Sequence, residues 1–483
     1  MSLATASGPI PLEAAYAAFL ERTPEYERTR ALDELRAREF SRLDEQGHVY
    51  LDYTGSGLYG ASQVRRHAES LLGGVFGNPH STNPTSLLAT ERVEACRRRI
   101  LDYFRADPSE YVVVFSANAS HALKLVGESY PFGAGDEFLL TFDNHNSVNG
   151  IREFDRARGA RTRYVPMVPP DLRVDEPLLA SRLAEPAEGR HRLFAYPAQS
   201  NFSGVQHPLS WVARARENGW HVLLDAAAFV PTNRLDLSQV KPDFVSVSFY
   251  KMFGYPTGVG ALIARRASLE VLHRPWFAGG TINVASVQAD RFVLAEGAAG
   301  FEDGTLDFAN IPAVEYGLDL IESVGIETIH DRACLLAGWL IDELLALRHG
   351  GGEPLVRIYG PAGRDARGAT LAFNFYDEAG HPIDHLEIER RAAEHRISLR
   401  TGCFCNPGAG ELAMGLSRGE IEACFGAGPS EARMTYEDLR RCIDPKAAGA
   451  VRVSLGLASN FADVHAFVQF ARGLARGSAS GRA

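Results

Sequence analysis

Val245-Ser-Val-Ser248-Phe-Tyr250-Lys251-Met-Phe-Gly254-Tyr-Pro-Thr-Gly258 opens as a short apolar strand and breaks into glycine and proline just after a lysine. Aromatic neighbours would desolvate that amine and lower its pKa, which suits a nucleophilic or Schiff-base role. A lysine snorkelling from a strand end is the equal alternative. Upstream, Val222-Leu-Leu-Asp225-Ala-Ala-Ala228 places a carboxylate at the end of another apolar strand, where open α/β sheets hold ligands. Buried there, it needs a cationic or hydrogen-bonding partner. Taken alone, Asp225 reads first as a helix N-cap. The 26 positions from Asp225 to Lys251 leave room for one more strand.

Around these two stretches, short apolar runs alternate with amphipathic ones. The pattern predicts strands at Tyr111–Phe115, Glu137–Thr141, Arg163–Val165, Leu193–Tyr196, His221–Leu224, Phe244–Ser248 and Gly260–Ile263. Helices at Ala119–Glu128, Asn149–Arg158 and Pro208–Asn218 fall between them. Such alternation indicates an α/β fold with a mainly parallel sheet covered on both faces. From Ile311 to Leu347 a long helical stretch leads to a second strand-helix group, Val356–Tyr359, Thr370–Phe375, Asp384–His395, Ile397–Leu399 and Val451–Leu455, which reads as a smaller α/β domain. The domain reading is therefore an N-terminal helical arm (1–46), a large domain (47–310), a connecting helix with a small C-terminal domain (311–472), and a flexible Gly/Ser/Arg/Ala tail (473–483).

Composition narrows the function. In 483 residues, 45% are hydrophobic and 23% charged, which is ordinary for a globular enzyme. Fifty Lys and Arg against 60 Asp and Glu give a net charge of −10, which argues against a nucleic-acid binder. No apolar run approaches a membrane span and no secretory leader is visible. Six cysteines in so long a chain do not make a disulfide framework, so a reducing cytoplasm is the expected location.

Phe115-Ser-Ala-Asn118-Ala119-Ser120 reads as strand, turn and helix start, whose free amides could hold a phosphate; ordinary capping by Asn118 or Ser116 is the commoner use. A phosphate loop, then Asp225, then Lys251 is the set that pyridoxal 5'-phosphate requires: a helix terminus for the phosphate, a carboxylate for the ring nitrogen, and an amine for the aldehyde. In Arg400-Thr-Gly-Cys403-Phe-Cys405-Asn-Pro-Gly, two cysteines one residue apart lie between glycines, with Arg400 offering a thiolate its counter-charge. A metal site would show C-x-x-C spacing and further ligands, and no second pair exists.

These stretches resemble the cysteine desulfurases, the class V branch of fold-type-I pyridoxal phosphate enzymes, and within it the amino-terminal domain of the molybdenum cofactor sulfurases. Further matching motifs are Tyr50-Leu-Asp-Tyr-Thr-Gly, Gly77-Asn-Pro-His-Ser, Tyr196-Pro-Ala-Gln-Ser-Asn-Phe-Ser-Gly204, Phe301-Glu-Asp-Gly-Thr and Val451-Arg-Val-Ser, collinear from about residue 48 to 470. The resemblance implies that Lys251 carries the cofactor, Asp225 pairs with its ring nitrogen and His145 stacks on its ring. Ala119, Ser120 and Ser248 would hold the phosphate, and Thr281 would reach a phosphate in the partner of a homodimer. Asn201 and Gln199 would lie near cofactor and substrate, Arg400 would grip the carboxylate of L-cysteine, and Cys405 would take the sulfur as a persulfide, with Cys403 assisting. Two positions depart from many desulfurases: Tyr250 stands where His precedes the lysine, and Ala228 where Gln follows the aspartate. Both departures match the sulfurase branch, and they leave open which group bonds the cofactor's phenolic oxygen. Cys96 and Cys334 read as packing residues; Cys424 and Cys442 are undecided. The activity implied is desulfuration of L-cysteine with delivery to an acceptor, either a protein or a small molecule. An aminotransferase, epimerase or carbon–sulfur lyase is the alternative, and a non-catalytic carrier fits poorly with Lys251, Asp225 and Arg400 all present.

Overall fold

The computed structural model describes residues 11–186, 188–427, 435–443 and 449–477. Its centre is a seven-stranded sheet in the order 111–116, 260–265, 244–248, 221–225, 192–197, 137–141, 161–165. Only Gly260–Arg265 runs antiparallel to its neighbours. Alternation along each strand divides side chains between the two faces. Val113, Phe194, Leu224 and Val245 enter one core, while Val112, Leu193, Leu223 and Phe244 enter the other. Burial on both faces explains why these strands read as continuous apolar runs. Each such side chain stabilises the fold by about 1.5–3 kcal/mol.

The small domain carries a four-stranded sheet in the order 356–359, 370–375, 450–454, 400–402, packed on helices Ile326–Ala346 and Phe461–Gly477. Three expectations need correction. The connecting helix is two helices, Ala313–Glu322 and Ile326–Ala346, broken at Gly325, whose φ of +83° suits glycine. The predicted strand Ile397–Leu399 shortens to Ile397–Ser398, which leaves the small sheet to pair with Val49–Tyr50. The tail expected from residue 473 remains helical through Gly477, because Phe470, Ala471 and Leu474 pack into the small-domain core; 478–483 lie outside the described residues.

The N-terminal helices join the two domains. Phe19 stacks on Phe461 of the small domain at 4.7 Å between centroids, while Leu32, Leu35 and Phe40 enter the large-domain core. Buried Arg36 is held by Asp44 and Asp463. Cys424 and Cys442, undecided in the sequence, form a disulfide between helices Arg418–Ala427 and Tyr436–Ile443. Cys96 is buried and donates to the Ile311 carbonyl, a packing role. Among the described residues no helix is long and apolar enough to cross a membrane, and no cluster of side chains suits a metal ion.

Candidate active site

The carboxyl ends of strands 111–116, 137–141, 192–197, 221–225 and 244–248 converge on a cavity of about 180 Å³. An open α/β sheet leaves its ligand crevice at that edge. Asn118, Ala119, Ser120, His145, Gln199, Asn201, Asp225, Ser248, Tyr250 and Lys251 all line it, gathered from positions up to 133 apart in the chain.

Lys251 sits on the one-turn helix Phe249–Phe253 that follows strand Phe244–Ser248. Burial lowers its amine pKa, opposed mainly by the nearby Asp225 charge. Gly254 ends that turn with φ +76°, and a side chain there would collide with the backbone of Leu58 and Tyr59, so glycine is required twice over. Asp225 is buried, and Ser246 Oγ (3.0 Å) and the Ala227 amide (3.1 Å) both donate to its Oδ1. No helix follows Asp225, so the N-cap role considered for it does not arise; Oδ1 instead braces a turn through the Ala227 amide, and among the described residues Oδ2 is left for a cationic partner. Burial also lowers the His145 pKa, keeping its imidazole neutral. Its Nδ1 accepts from the Ser147 amide at 3.1 Å, so Nδ1 carries no proton and Nε2 does.

At the helix start, Asn118 Oδ1 caps the His121 amide (3.0 Å) and the Ala119 amide donates to Ser248 Oγ (2.9 Å). The hydroxyls of Ser120 and Ser147 meet at 2.6 Å. Capping and a polar pocket coexist here. Gly260 permits the approach: a Cβ on it would lie 2.6 Å from the Asn118 Cα. The donor set fits pyridoxal phosphate: a helix N-terminus ringed by hydroxyls, a buried carboxylate with one oxygen unused, a neutral imidazole, and a lysine whose burial favours the free amine.

Gln199 and Asn201 line the cavity, but their amides are engaged. Gln199 Nε2 donates to the Ala228 carbonyl and its Oε1 accepts from Gln206. Asn201 donates to the Phe404 carbonyl (2.7 Å) and accepts from Asn406 (2.9 Å), tying the cavity to the cysteine loop. On that loop Phe404 and Cys405 both adopt φ +55°, a costly conformation for side chains. The loop is over-determined: the Asn146 amide, next to His145, donates to the Cys405 carbonyl at 2.7 Å, and Arg452 lies over the Phe404 ring at 4.6 Å. Cys405 is exposed and Cys403 half-buried, both as free thiols.

Arg400 and Thr281 do not line this cavity. Arg400 is not a free fork: its Nη2 and Nε donate to Asp52 Oδ2 at 2.7 and 2.9 Å. Thr281 is buried outside this cavity, its hydroxyl donating to the Ala278 carbonyl and accepting the Ala278 amide. Residue-by-residue reading missed Arg452 and Asp52. Arg452 donates to Asp52 Oδ1 (3.0 Å) and the Asn201 carbonyl (2.9 Å), and its charge acts on both Lys251 and His145. The signal was present: an arginine and an aspartate each embedded in an apolar strand-like run.

A family model described as aminotransferase class-V matches residues 49–467. The chain is similar to the molybdenum cofactor sulfurase of Bos taurus, 38% identical over 460 residues, covering 91% of this chain and 51% of that protein. It is also similar to that of Solanum lycopersicum, 36% identical over 471 residues, covering 91% and 56%. The chain spans about half the length of the curated relatives it matches. Among solved structures, the apo cysteine desulfurase of Thermococcus onnurineus NA1 shares the fold with a TM-score of 0.74 at 22% identity, over 92% of this chain and 98% of that one. The cystine C-S lyase C-DES, solved with cysteine persulfide, shares it with a TM-score of 0.65 at 18% identity, over 88% and 97%.

Proposed function

This chain belongs to the aminotransferase class-V family, and from that premise we propose that it is a pyridoxal phosphate-dependent cysteine desulfurase. It takes sulfur from L-cysteine, releases alanine, and keeps the sulfur as a persulfide on Cys405. The observation that carries this reading is an exposed cysteine whose own carbonyl is bonded to the residue after His145, at the edge of a cavity holding Lys251 and Asp225.

In this reading Lys251 holds the cofactor's aldehyde carbon, Asp225 its ring nitrogen, His145 its ring face, and Ala119, Ser120 and Ser248 its phosphate. Bound there, pyridoxal phosphate supplies an electron sink for bonds at the substrate's carbon atoms. Lys251, favoured as the neutral amine, moves the substrate's protons. Arg400 and Arg452 hold the substrate carboxylate. Cys405 forms a bond to the substrate sulfur as the carbon–sulfur bond breaks, so cysteine and a thiol become alanine and a persulfide. The persulfide then goes to an acceptor, with the molybdenum cofactor in the relatives' names as the first candidate and a protein thiol as the second.

A homodimer completes the proposal. Hairpin strands Ile282–Ser286 and Arg291–Leu294, next to Thr281, expose Val284, Val287 and Val293, an apolar face suited to a second copy. A cytoplasmic location goes with it, since Cys405 must be kept as a thiol, while the Cys424–Cys442 disulfide is a feature that a reducing compartment seldom keeps. The reading is tested by incubating the purified protein with L-cysteine and a reductant. Alanine and sulfide in equal yield support it; pyruvate with ammonia makes the enzyme a lyase.

A further inference from the structure

Arg400 and Arg452 are direct cross-strand partners on the neighbouring antiparallel strands 400–402 and 450–454. Like charges placed opposite one another repel, and more strongly where water is scarce. The small domain nevertheless puts two guanidiniums there, with Arg452 only 3% exposed. Asp52 relieves the conflict from a distant part of the chain. Its Oδ2 accepts from Arg400 and its Oδ1 from Arg452, so one carboxylate bridges both cations. The Asp52 side chain is packed in place: a Cβ on Gly55 would lie 2.5 Å from its Oδ2, and its residue bridges to Ser454. The bridge is unequal, since Arg400 remains half-exposed while Asp52 is nearly enclosed. It is also incomplete, since among the described residues the buried Nε of Arg452 has no hydrogen-bond partner. Within this triad two positive charges and one negative leave a single positive charge and one unused buried donor, with Glu389 acting on Arg400 from outside it.

We propose that Asp52 sets the charge of the substrate subsite. By neutralising one guanidinium it leaves a site for one carboxylate, which admits amino acids with an uncharged side chain and disfavours a second acidic group. The assignment rests on the reading that Arg400 and Arg452 hold the substrate carboxylate. It goes beyond that reading by naming the residue that decides substrate charge.

The test measures calorimetric binding to the holoenzyme of 3-mercaptopropionate, with one carboxylate, and mercaptosuccinate, with two. Neither has an amine, so the comparison reads the charge of the subsite without turnover. The wild type should prefer the monocarboxylate by about tenfold or more. Asp52→Asn, carrying one more net positive charge, should shift that preference by about tenfold toward the dicarboxylate, and Asp52→Glu should not. Adding Arg400→Gln to Asp52→Asn returns the net charge to one and should restore the original preference, which repair of a merely structural defect would not do. An unchanged preference in Asp52→Asn, or a double variant that behaves like Asp52→Asn, overturns the proposal. Should the variants fail to fold, equal affinity of the wild type for both ligands overturns it by itself. Alanine formation from L-cysteine by the wild type is measured alongside; its absence defeats the desulfurase reading, whatever the charge preference.

Discussion

The cofactor cavity and the cysteine loop touch each other but are built on opposite plans. The cavity takes its functional groups from the ends of buried parallel strands, and its one left-handed turn after the lysine falls on Gly254. The loop has almost no regular structure and holds two consecutive non-glycine residues at positive φ. The sheet fixes the cavity groups through ladder hydrogen bonds and two cores. The loop is fixed by a few side-chain contacts from Asn201, Asn406 and Arg452 and one backbone bond from Asn146. A rigid half suits holding a cofactor, while a strained, exposed half suits a thiol that must first reach a buried substrate and then an outside acceptor.

The largest effect should come from the rigid half. Lys251→Ala should reduce alanine formation by about 10³-fold or more, remove the yellow colour, and abolish the covalent fixing of cofactor that borohydride, bleaching that colour, otherwise gives on the peptide carrying residue 251. A protein that is colourless and takes up no added cofactor would break the comparison at its base. The same lysine gives a pH signature in the cofactor-free protein. Burial lowers its folded pKa below the ordinary value, so between the two values the unfolded chain binds more protons. Stability from this group therefore rises as pH rises through that window. Lys251→Met should flatten that part of a melting-temperature against pH curve.

Next comes the loop. Cys405→Ala should leave cofactor uptake and its spectrum intact, because none of the cavity contacts changes, while alanine formation falls by about 10²–10³-fold. Non-reducing peptide mapping after labelled cysteine locates the persulfide; label on Cys403 would reverse the two roles. Cys403→Ala should cost only about twofold if that thiol assists.

Asn201→Ala sharpens the boundary between the halves. It removes the amide that bonds both Phe404 and Asn406, so sulfur transfer should fall by about tenfold through loss of loop positioning, while cofactor affinity changes little. An equal loss of both would mean that the halves are one unit. The smallest effect is on assembly: sedimentation should show a dimer, and Val287→Lys on the exposed hairpin should weaken it.

Much of the rigid half was legible. Apolar runs of strand length, with Asp225, Lys251 and Asn118 at their ends, mark the cavity because a continuous apolar run and the polar residue that closes it are local features of the chain. The break at Gly325 was legible in principle, since glycine is the usual stop for a helix, but an uninterrupted amphipathic pattern on both sides concealed it. Thr281 was placed by resemblance, and the contacts within its own turn carry no signal in the sequence.

The sequence by itself determined the α/β architecture, the order of the cavity residues and the identity of the cysteine pair, because each follows from nearby residues and their spacing. Only the tertiary structure decided that Asp52 bridges Arg400 and Arg452, that Asn201 braces the Cys405 loop, and that Cys424 joins Cys442. Asp52 and Arg452 are 400 residues apart, and Asn201 and Phe404 are 203 apart. Contacts of that kind are set by how the two domains pack and by the register of strands 400–402 and 450–454, and neither leaves a periodic trace in the chain.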